Sequence, residues 1–206
     1  MNIQLALDRL TIHEAIERAA AAEQYVEWIE VGTSLIKEFG MDSVRALRKA
    51  FPDKVIVADM KTNDNAQYEC QLCFEAGADV ATVMGTAPFV TIQACIAEAK
   101  KRNKQMMIDL LNTTPAQQEA LSRCDAIFCL HTSKDEQELG AGENGRAVLK
   151  DGVRTAVAGG ITPGNLHDYL KIKPSVLIIG SAITKAEDPG KAAAAFKEKV
   201  NMEAMK

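Results

Sequence analysis

The sequence predicts an α/β fold of parallel βα units closed into a (β/α)8 TIM barrel, on three observations. Short apolar runs alternate with amphipathic helical stretches about eight times over 206 residues, the pattern of repeated βα units. Polar and glycine residues recur at the carboxyl ends of those runs, the face on which such barrels build their sites. An open doubly wound sheet, the competing fold, would carry a glycine fingerprint after its first strand, and Asp8-Arg9-Leu10-Thr11 is not one.

The elements follow in order. Ile3 to Leu7 reads as a strand, and Thr11-Ile12-His13-Glu14 has the form of a capping box opening a helix to about Glu23. Val26 to Val31 is the next strand, ending in Glu30-Val31-Gly32-Thr33, and Leu35, Ile36, Val44, Leu47 and Phe51 supply the apolar face of a second helical region. Val55 to Ala58 is a strand that ends abruptly in Asp59-Met60-Lys61-Thr62-Asn63-Asp64. Strands buried on both faces are near-continuously apolar, so this charge cluster must face a cleft. A helix from Asn65 to Ala76, a strand from Asp79 to Met84, a helix from Thr91 to Lys100 and a strand from Gln105 to Leu110 follow. Pro115 opens a short helix, as proline does at a first helical position, and Asp125 to Leu130 is a strand ending in His131. Thr132 to Gly152 is polar and glycine-containing and predicts a mobile loop plus a helix. Arg154 to Ala158 delivers Gly159-Gly160, a helix runs from Pro163 to Leu170, Val176 to Ile179 delivers Gly180-Ser181, and Pro189 to Val200 closes the chain.

The bulk properties narrow the function. Residues 1–206 fit one barrel domain, at the short end for this architecture. A hydrophobic content of 47% with 25% charged residues is that of a water-soluble globular protein. Net charge of -4 and the lack of any basic block argue against nucleic acid. No run approaches the roughly 20 apolar residues of a membrane helix, and no basic-then-apolar leader opens the sequence, so the reading is a cytoplasmic protein without a membrane partner. The five cysteines read as free thiols rather than a zinc site, because no second ligand pair stands at metal spacing near Cys70 and Cys73.

Asp8, Glu30, Asp59, Lys61, Asp109, His131, Gly159-Gly160 and Gly180-Ser181 all fall at predicted strand ends. Any one alone could be a cap or a surface charge; together they converge on one face. The two glycine pairs follow the last two strands, where barrels commonly hold phosphate on backbone N–H groups, although two ordinary βα turns would look the same. A phosphorylated small molecule is the expected ligand. His131 is the candidate acid or base, since an unperturbed histidine titrates near physiological pH; His13 and His167 sit in helical patterns and read as surface or capping residues.

Asp59-Met60-Lys61-Thr62-Asn63-Asp64 matches the Asp-x-Lys-x-x-Asp signature of the orotidine monophosphate decarboxylase suprafamily. More closely, the chain resembles the 3-hexulose-6-phosphate synthases and the 3-keto-L-gulonate-6-phosphate decarboxylases, through Leu5-Ala6-Leu7-Asp8, Ile29-Glu30-Val31-Gly32-Thr33, Phe74-Glu75-Ala76-Gly77-Ala78-Asp79, Ala158-Gly159-Gly160 and Asp188-Pro189. The resemblance implies a barrel of the ribulose-phosphate-binding type that forms homodimers with shared active sites. It implies that Asp8, Asp59 and Lys61 act within their own site while Asp64 reaches the partner's. Glu30 and Asp59 are similar to the ligands of an essential Mg2+, although oxygen donors also suit Mn2+. The implied chemistry is a 1,2-enediolate on a phosphorylated keto sugar, with Lys61, kept charged by Asp59 and Asp64, stabilising it and His131 or Asp8 as base.

Within this resemblance Asp109 and Ala158 match the synthases, where the decarboxylases carry glutamate and threonine. Lys134 stands where the decarboxylases have an arginine, and Ser181 where they have a bulkier phosphate-site arginine. The expected reaction is therefore the aldol condensation of D-ribulose 5-phosphate with formaldehyde. Decarboxylation of 3-keto-L-gulonate 6-phosphate and a non-catalytic phosphosugar-binding barrel are the alternatives, and decarboxylation of orotidine monophosphate fits poorly with Glu30.

Overall fold

A computed structural model describes residues 1–139, 149–150 and 152–204. Eight strands, β1 (Asn2–Leu7), β2 (Trp28–Val31), β3 (Val55–Thr62), β4 (Val80–Met84), β5 (Gln105–Asp109), β6 (Ile127–His131), β7 (Arg154–Ala158) and β8 (Val176–Ile179), form a closed barrel in sequence order. Every neighbouring pair is parallel, and β8 returns to pair with β1. The (β/α)8 barrel expected from the alternating pattern is thus the fold.

Period-two alternation along each strand divides the core in two. Trp28, Val57, Val80, Met107, Ile127, Cys129, Ala156, Val176 and Ile178 fill the barrel interior. Ile3, Leu5, Leu7, Ile29, Val31, Ile56, Ile108, Phe128 and Leu177 belong to a larger apolar layer shared with helix residues such as Leu47, Ile92 and Phe196. A side chain at the end of a strand on the inward set therefore stands over the interior layer and faces the open end.

The helices follow local signals. Helix α1 (Ile12–Ala22) begins at the predicted capping box, with Thr11 and Glu14 bonding each other's backbone N–H groups. The second helical region is two helices, α2 (Thr33–Phe39) and α3 (Met41–Ala50), divided at Gly40, whose φ of 60° lies in the left-handed region that glycine tolerates. Then come α4 (Ala66–Glu75), α5 (Phe89–Lys101) and α6 (Pro115–Leu121), the last with proline at its start and a second capping box, Thr114 with Gln117. Helix α7 (Lys134–Leu139) is the helix expected after His131; of the mobile loop expected with it, residues 140–148 and 151 lie outside the described residues. Helices α8 (Leu166–Lys171), α9 (Ser181–Thr184) and α10 (Pro189–Ala204) complete the described elements.

Several element boundaries differ from the sequence reading, β6 for instance starting at Ile127 rather than Asp125 and α5 at Phe89 rather than Thr91. Residues Glu23–Tyr25 form a 3-10 turn, so β2 starts at Trp28 rather than Val26. Helix α8 starts at Leu166 rather than Pro163, because the Asn165 side chain turns back to accept from the Thr162 N–H at 2.7 Å and closes a separate turn. The four-residue α9 after β8 is too short to leave a periodic signal. All five cysteines are free thiols, and among the described residues no helix is long and apolar enough to cross a membrane.

Candidate active site

A cavity of about 660 Å3 opens at the carboxyl ends of the strands. Its walls include Asp8, Glu30, Asp59, Lys61, Asp109, His131, Gly159, Gly160, Gly180 and Ser181. The strand-end residues singled out in the sequence therefore meet in one space. Asp64 is the exception: it is exposed, accepts the Asn65 N–H at 2.7 Å, and stands outside this wall.

Lys61 sits at the centre. Between the pairs Ala58–Ala81 and Thr62–Val83, β3 has two more residues than β4, so the strand bulges there. Lys61 takes φ 51°, a left-handed conformation that costs a non-glycine residue about 1–3 kcal/mol. Its N–H, released from regular pairing, donates to Thr82 Oγ1 at 2.8 Å. Its ammonium lies 2.7 Å from Asp109 Oδ2 and 3.2 Å from Asp59 Oδ2. The second carboxylate holding Lys61 is thus Asp109 from β5, not Asp64 as the sequence reading had it. Burial opposes the lysine charge, but Asp59 and Asp109 outweigh it and hold the ammonium above its ordinary pKa. Lys61 is a permanent cation.

Each carboxylate is fixed in turn. Asp59 accepts from Thr33 Oγ1 at 2.6 Å and Thr82 Oγ1 at 2.9 Å. Asp109 Oδ1 accepts the Leu111 N–H at 2.9 Å, while Oδ2 meets both Lys61 and His131 Nδ1, the latter at 2.9 Å. Burial would raise the Asp109 pKa, yet His131 and Lys61 hold it well below the usual carboxylate range. An ionised Asp109 only accepts, so His131 carries its proton on Nδ1 and keeps Nε2 for the cavity. Asp8 stands on the rim, exposed, accepting from both the N–H and the hydroxyl of Ser34 at 3.1 and 2.7 Å.

Glu30 is different in kind. Burial first, then the nearby charges of Asp59 and Asp8, push its carboxyl up to about 8. It accepts a hydrogen bond from the Gln4 side chain, through Nε2. Glu30, Asp59 and Asp8 thus repel one another across one end of the cavity, an arrangement that a divalent cation with oxygen preference would relieve. Among the described residues no group of three or more His, Cys, Asp or Glu side chains is placed to hold a metal ion by itself. Mg2+ does not require one, since it keeps several waters and takes one or two carboxylates. The donor set fits that cation.

On the opposite wall, Gly159 and Gly160 take φ 103° and 68°. A Cβ on Gly159 would lie 2.4 Å from the Thr132 carbonyl oxygen, so only glycine fits. The carbonyls of this turn are occupied, Gly159 O by the Tyr169 hydroxyl at 2.8 Å and Gly160 O by Asn165 Nδ2 at 2.9 Å, as an anion site requires. Gly180 and Ser181 begin α9 beside it, where first-turn N–H groups have no intrahelical partner, and Lys185 closes the wall.

The sequence reading missed Gln4, Thr33, Thr82 and Lys185. Gln4 was readable: it breaks an apolar run in step with Ala6 and Asp8, so alternation turns it inward. Mid-strand Thr82 carries no comparable signal, because threonine is an ordinary strand residue. Cys129 also lines the cavity; burial, then Asp109 and Glu30, hold its thiol well above the ordinary value, so it stays protonated.

Comparison with known proteins adds an independent line. Residues 1–196 match the family described as orotidine 5'-phosphate decarboxylase / HUMPS. A protein of Bacillus subtilis named 3-hexulose-6-phosphate synthase is 35% identical over 206 residues, covering 96% of this chain and 98% of that one. The crystal structure of 3-hexulose-6-phosphate synthase from Salmonella typhimurium superposes with a TM-score of 0.92 at 35% identity, covering 98% of this chain and all of the other. That of 3-keto-L-gulonate-6-phosphate decarboxylase from Vibrio cholerae gives 0.83 at 31% identity, covering 98% and 97% of the two chains.

Proposed function

Because the chain belongs to the orotidine 5'-phosphate decarboxylase / HUMPS family, we propose that it is a carbon–carbon lyase with 3-hexulose-6-phosphate synthase activity. The reaction is the reversible condensation of D-ribulose 5-phosphate with formaldehyde to D-arabino-hex-3-ulose 6-phosphate. The observation that carries it is the Asp59–Lys61–Asp109–His131 chain, which sets a fixed cation and a proton acceptor side by side on the cavity wall. Asp109 and Ala158 favour the synthase over the decarboxylase, as do relatives at 35% identity bearing the synthase name.

In this reading the Gly159-Gly160 and Gly180-Ser181 turns hold the phosphate, with Lys185 adding positive charge beside them. His131 Nε2 takes the proton from C1 of the keto sugar, while Asp109 steadies the imidazolium through Nδ1. Asp8 suits the role of base less well, since one of its oxygens is engaged by two Ser34 donors. Lys61 stabilises the negative charge of the enediolate by hydrogen bonding, a contribution that grows as the charge develops. The enediolate carbon then forms the new bond to formaldehyde, and the proton on His131 returns to the alkoxide so produced. Glu30 and Asp59 would hold a divalent cation, Mg2+ or Mn2+, which when bound supplies Lewis-acid neutralisation of the enediolate oxygens.

The same reading makes the protein a homodimer with shared sites. Asp64 points away from its own cavity, and Tyr68, Phe89 and Val90 are exposed near the starts of the packed helices α4 and α5. Mixing an Asp64→Ala chain with a Lys61→Ala chain, each inactive alone, restores activity if sites are shared; no recovery refutes the sharing.

The deciding experiment gives the purified protein D-ribulose 5-phosphate, formaldehyde and Mg2+ and follows formaldehyde consumption. Loss of formaldehyde with formation of the hexulose phosphate is expected. No consumption there, with CO2 release from 3-keto-L-gulonate 6-phosphate, makes the protein the decarboxylase. Binding of the phosphosugar with turnover of neither substrate makes it a binding protein.

A further inference from the structure

Gln4 takes no part in the proposed proton transfers, yet it is the most anomalous polar residue of the barrel. It lies on β1, paired in register with Trp28 and Ile178, fully buried within the barrel and on the floor of the cavity. Its Nε2 donates to Glu30 Oε2. Its Oε1 is the one buried side-chain oxygen or nitrogen among the described residues without a hydrogen-bond partner. Buried polar atoms are nearly always satisfied, and an exception calls for a ligand, ion or water to answer it. An apolar residue here would have packed against Trp28 and Ile178 at no such cost.

The two halves of the amide are coupled. A carboxylate that holds a cation is ionised and only accepts, so the amide must turn its Nε2 to Glu30. That orientation forces Oε1, an acceptor, toward the remaining space of the cavity floor. Waters retained by a divalent cation are strong hydrogen-bond donors, and Mg2+ keeps several of them. We propose that Gln4 is a positioning residue of the metal centre, fixing Glu30 with Nε2 and accepting with Oε1 from a water in the cation's shell. This inference rests on the reading of Glu30 and Asp59 as cation ligands and adds an outer partner to them. Such partners orient metal ligands, and their loss typically weakens metal binding about 10–100-fold.

The test uses the full chain and Mn2+ alone, without substrate. Mn2+ dissociation constants are measured by electron paramagnetic resonance for the wild type, Gln4→Leu and Gln4→Met, alongside thermal unfolding of each protein without metal. Two variants are used so that one poorly packed replacement does not decide the result. The expected outcome is a Kd raised about 10–100-fold in both, with the metal-free melting temperature unchanged or higher, since the unsatisfied oxygen is gone. A structural role alone would show the reverse, an unchanged Kd with a lowered melting temperature. A Kd within about twofold of wild type, far below the usual effect of an outer partner, overturns the inference while leaving Glu30 and Asp59 as ligands. A wild-type protein that takes up no Mn2+ overturns that ligand reading and the inference with it.

Discussion

Two aspartates at opposite ends of the barrel show how the same ion pairing serves different ends. Asp79 lies just before β4, on the face where strands begin, and Asp109 ends β5, on the face where they finish. Asp79 sits between two cations, Arg48 and Lys104, and Asp109 between the Lys61 ammonium and the His131 ring. Asp79 accepts from Lys104 at 2.8 Å, from the Ile56 N–H at 3.0 Å and from Arg48. Arg48 spends its remaining donors on the carbonyls of Gly77, Phe51, Pro52 and Lys54, at 2.9 to 3.2 Å. That network closes on itself and staples three loops under the barrel. Around Asp109 the network stays open. Among the described residues the Lys61 ammonium pairs with two carboxylates, on a strained backbone, and His131 keeps one ring nitrogen for the cavity. A closed network stores stability, whereas an open one stores reactivity.

Removing one cation from each end should separate the two roles most strongly. Lys61→Ala should lower turnover by at least about 10²–10³-fold, as loss of a charge-stabilising donor does, while binding of D-ribulose 5-phosphate to the glycine turns stays measurable by calorimetry. Arg48→Ala should leave kcat unchanged and cost about 2–3 kcal/mol of stability, because it strands several half-buried acceptors. For a chain of this size that is a fall of roughly 5–10 °C in Tm. Equal damage to activity from both variants would erase the distinction between the two ends.

The next effect is in pH. Glu30 is raised from 4.5 to about 8 by burial and by Asp59 and Asp8. A raised carboxyl pKa means that the metal-free fold holds a proton the unfolded chain has lost, so its stability declines as pH rises from about 4.5 to 8. Cation binding must expel that proton, so Mn2+ affinity should rise about tenfold per pH unit below 8 and level off above it. Titrations at pH 6, 7 and 8.5 measure this, and a flat profile would remove Glu30 from the cation's ligands. In Glu30→Gln the slope should vanish and the affinity should drop.

Much of this was legible in the sequence because it depends on periods. Alternation of β and α stretches, the capping box at Thr11, and the fall of Asp8, Glu30, Asp59, Asp109 and His131 at strand ends are one-dimensional patterns that the barrel turns into a ring. What stayed hidden depends on pairings across the chain. That Lys61 bonds Asp109 rather than Asp64 follows from a bulge in β3 and from the third dimension of the ring, which places β5 beside the lysine and sends Asp64 out past the rim. Thr82 takes its role from the N–H that the bulge releases, and no local pattern announces it. Arg48 and Asp79 meet across 31 residues of sequence, a pairing that no local pattern announces either.

The smallest expected effect lies at the Asp79 end of the barrel. Burial works against the ionised form of Asp79, but Lys104, the Ile56 N–H and Arg48 outweigh it and lower its pKa from 3.8. A depressed carboxyl pKa contributes stability that is complete above the unfolded value and is lost as pH falls through the folded one, opposite in sign to Glu30. Asp79 is 32% exposed, so solvent screens the pair, and Asp79→Asn should cost only about 1 kcal/mol near pH 7. The cost should shrink below pH 4, as the wild-type carboxyl also becomes neutral, until the two denaturation midpoints in urea converge. Activity should stay at the wild-type level throughout the range where both proteins are folded. If Asp79→Asn instead altered the pH profile of turnover, the network beneath the barrel would be coupled to the site above it.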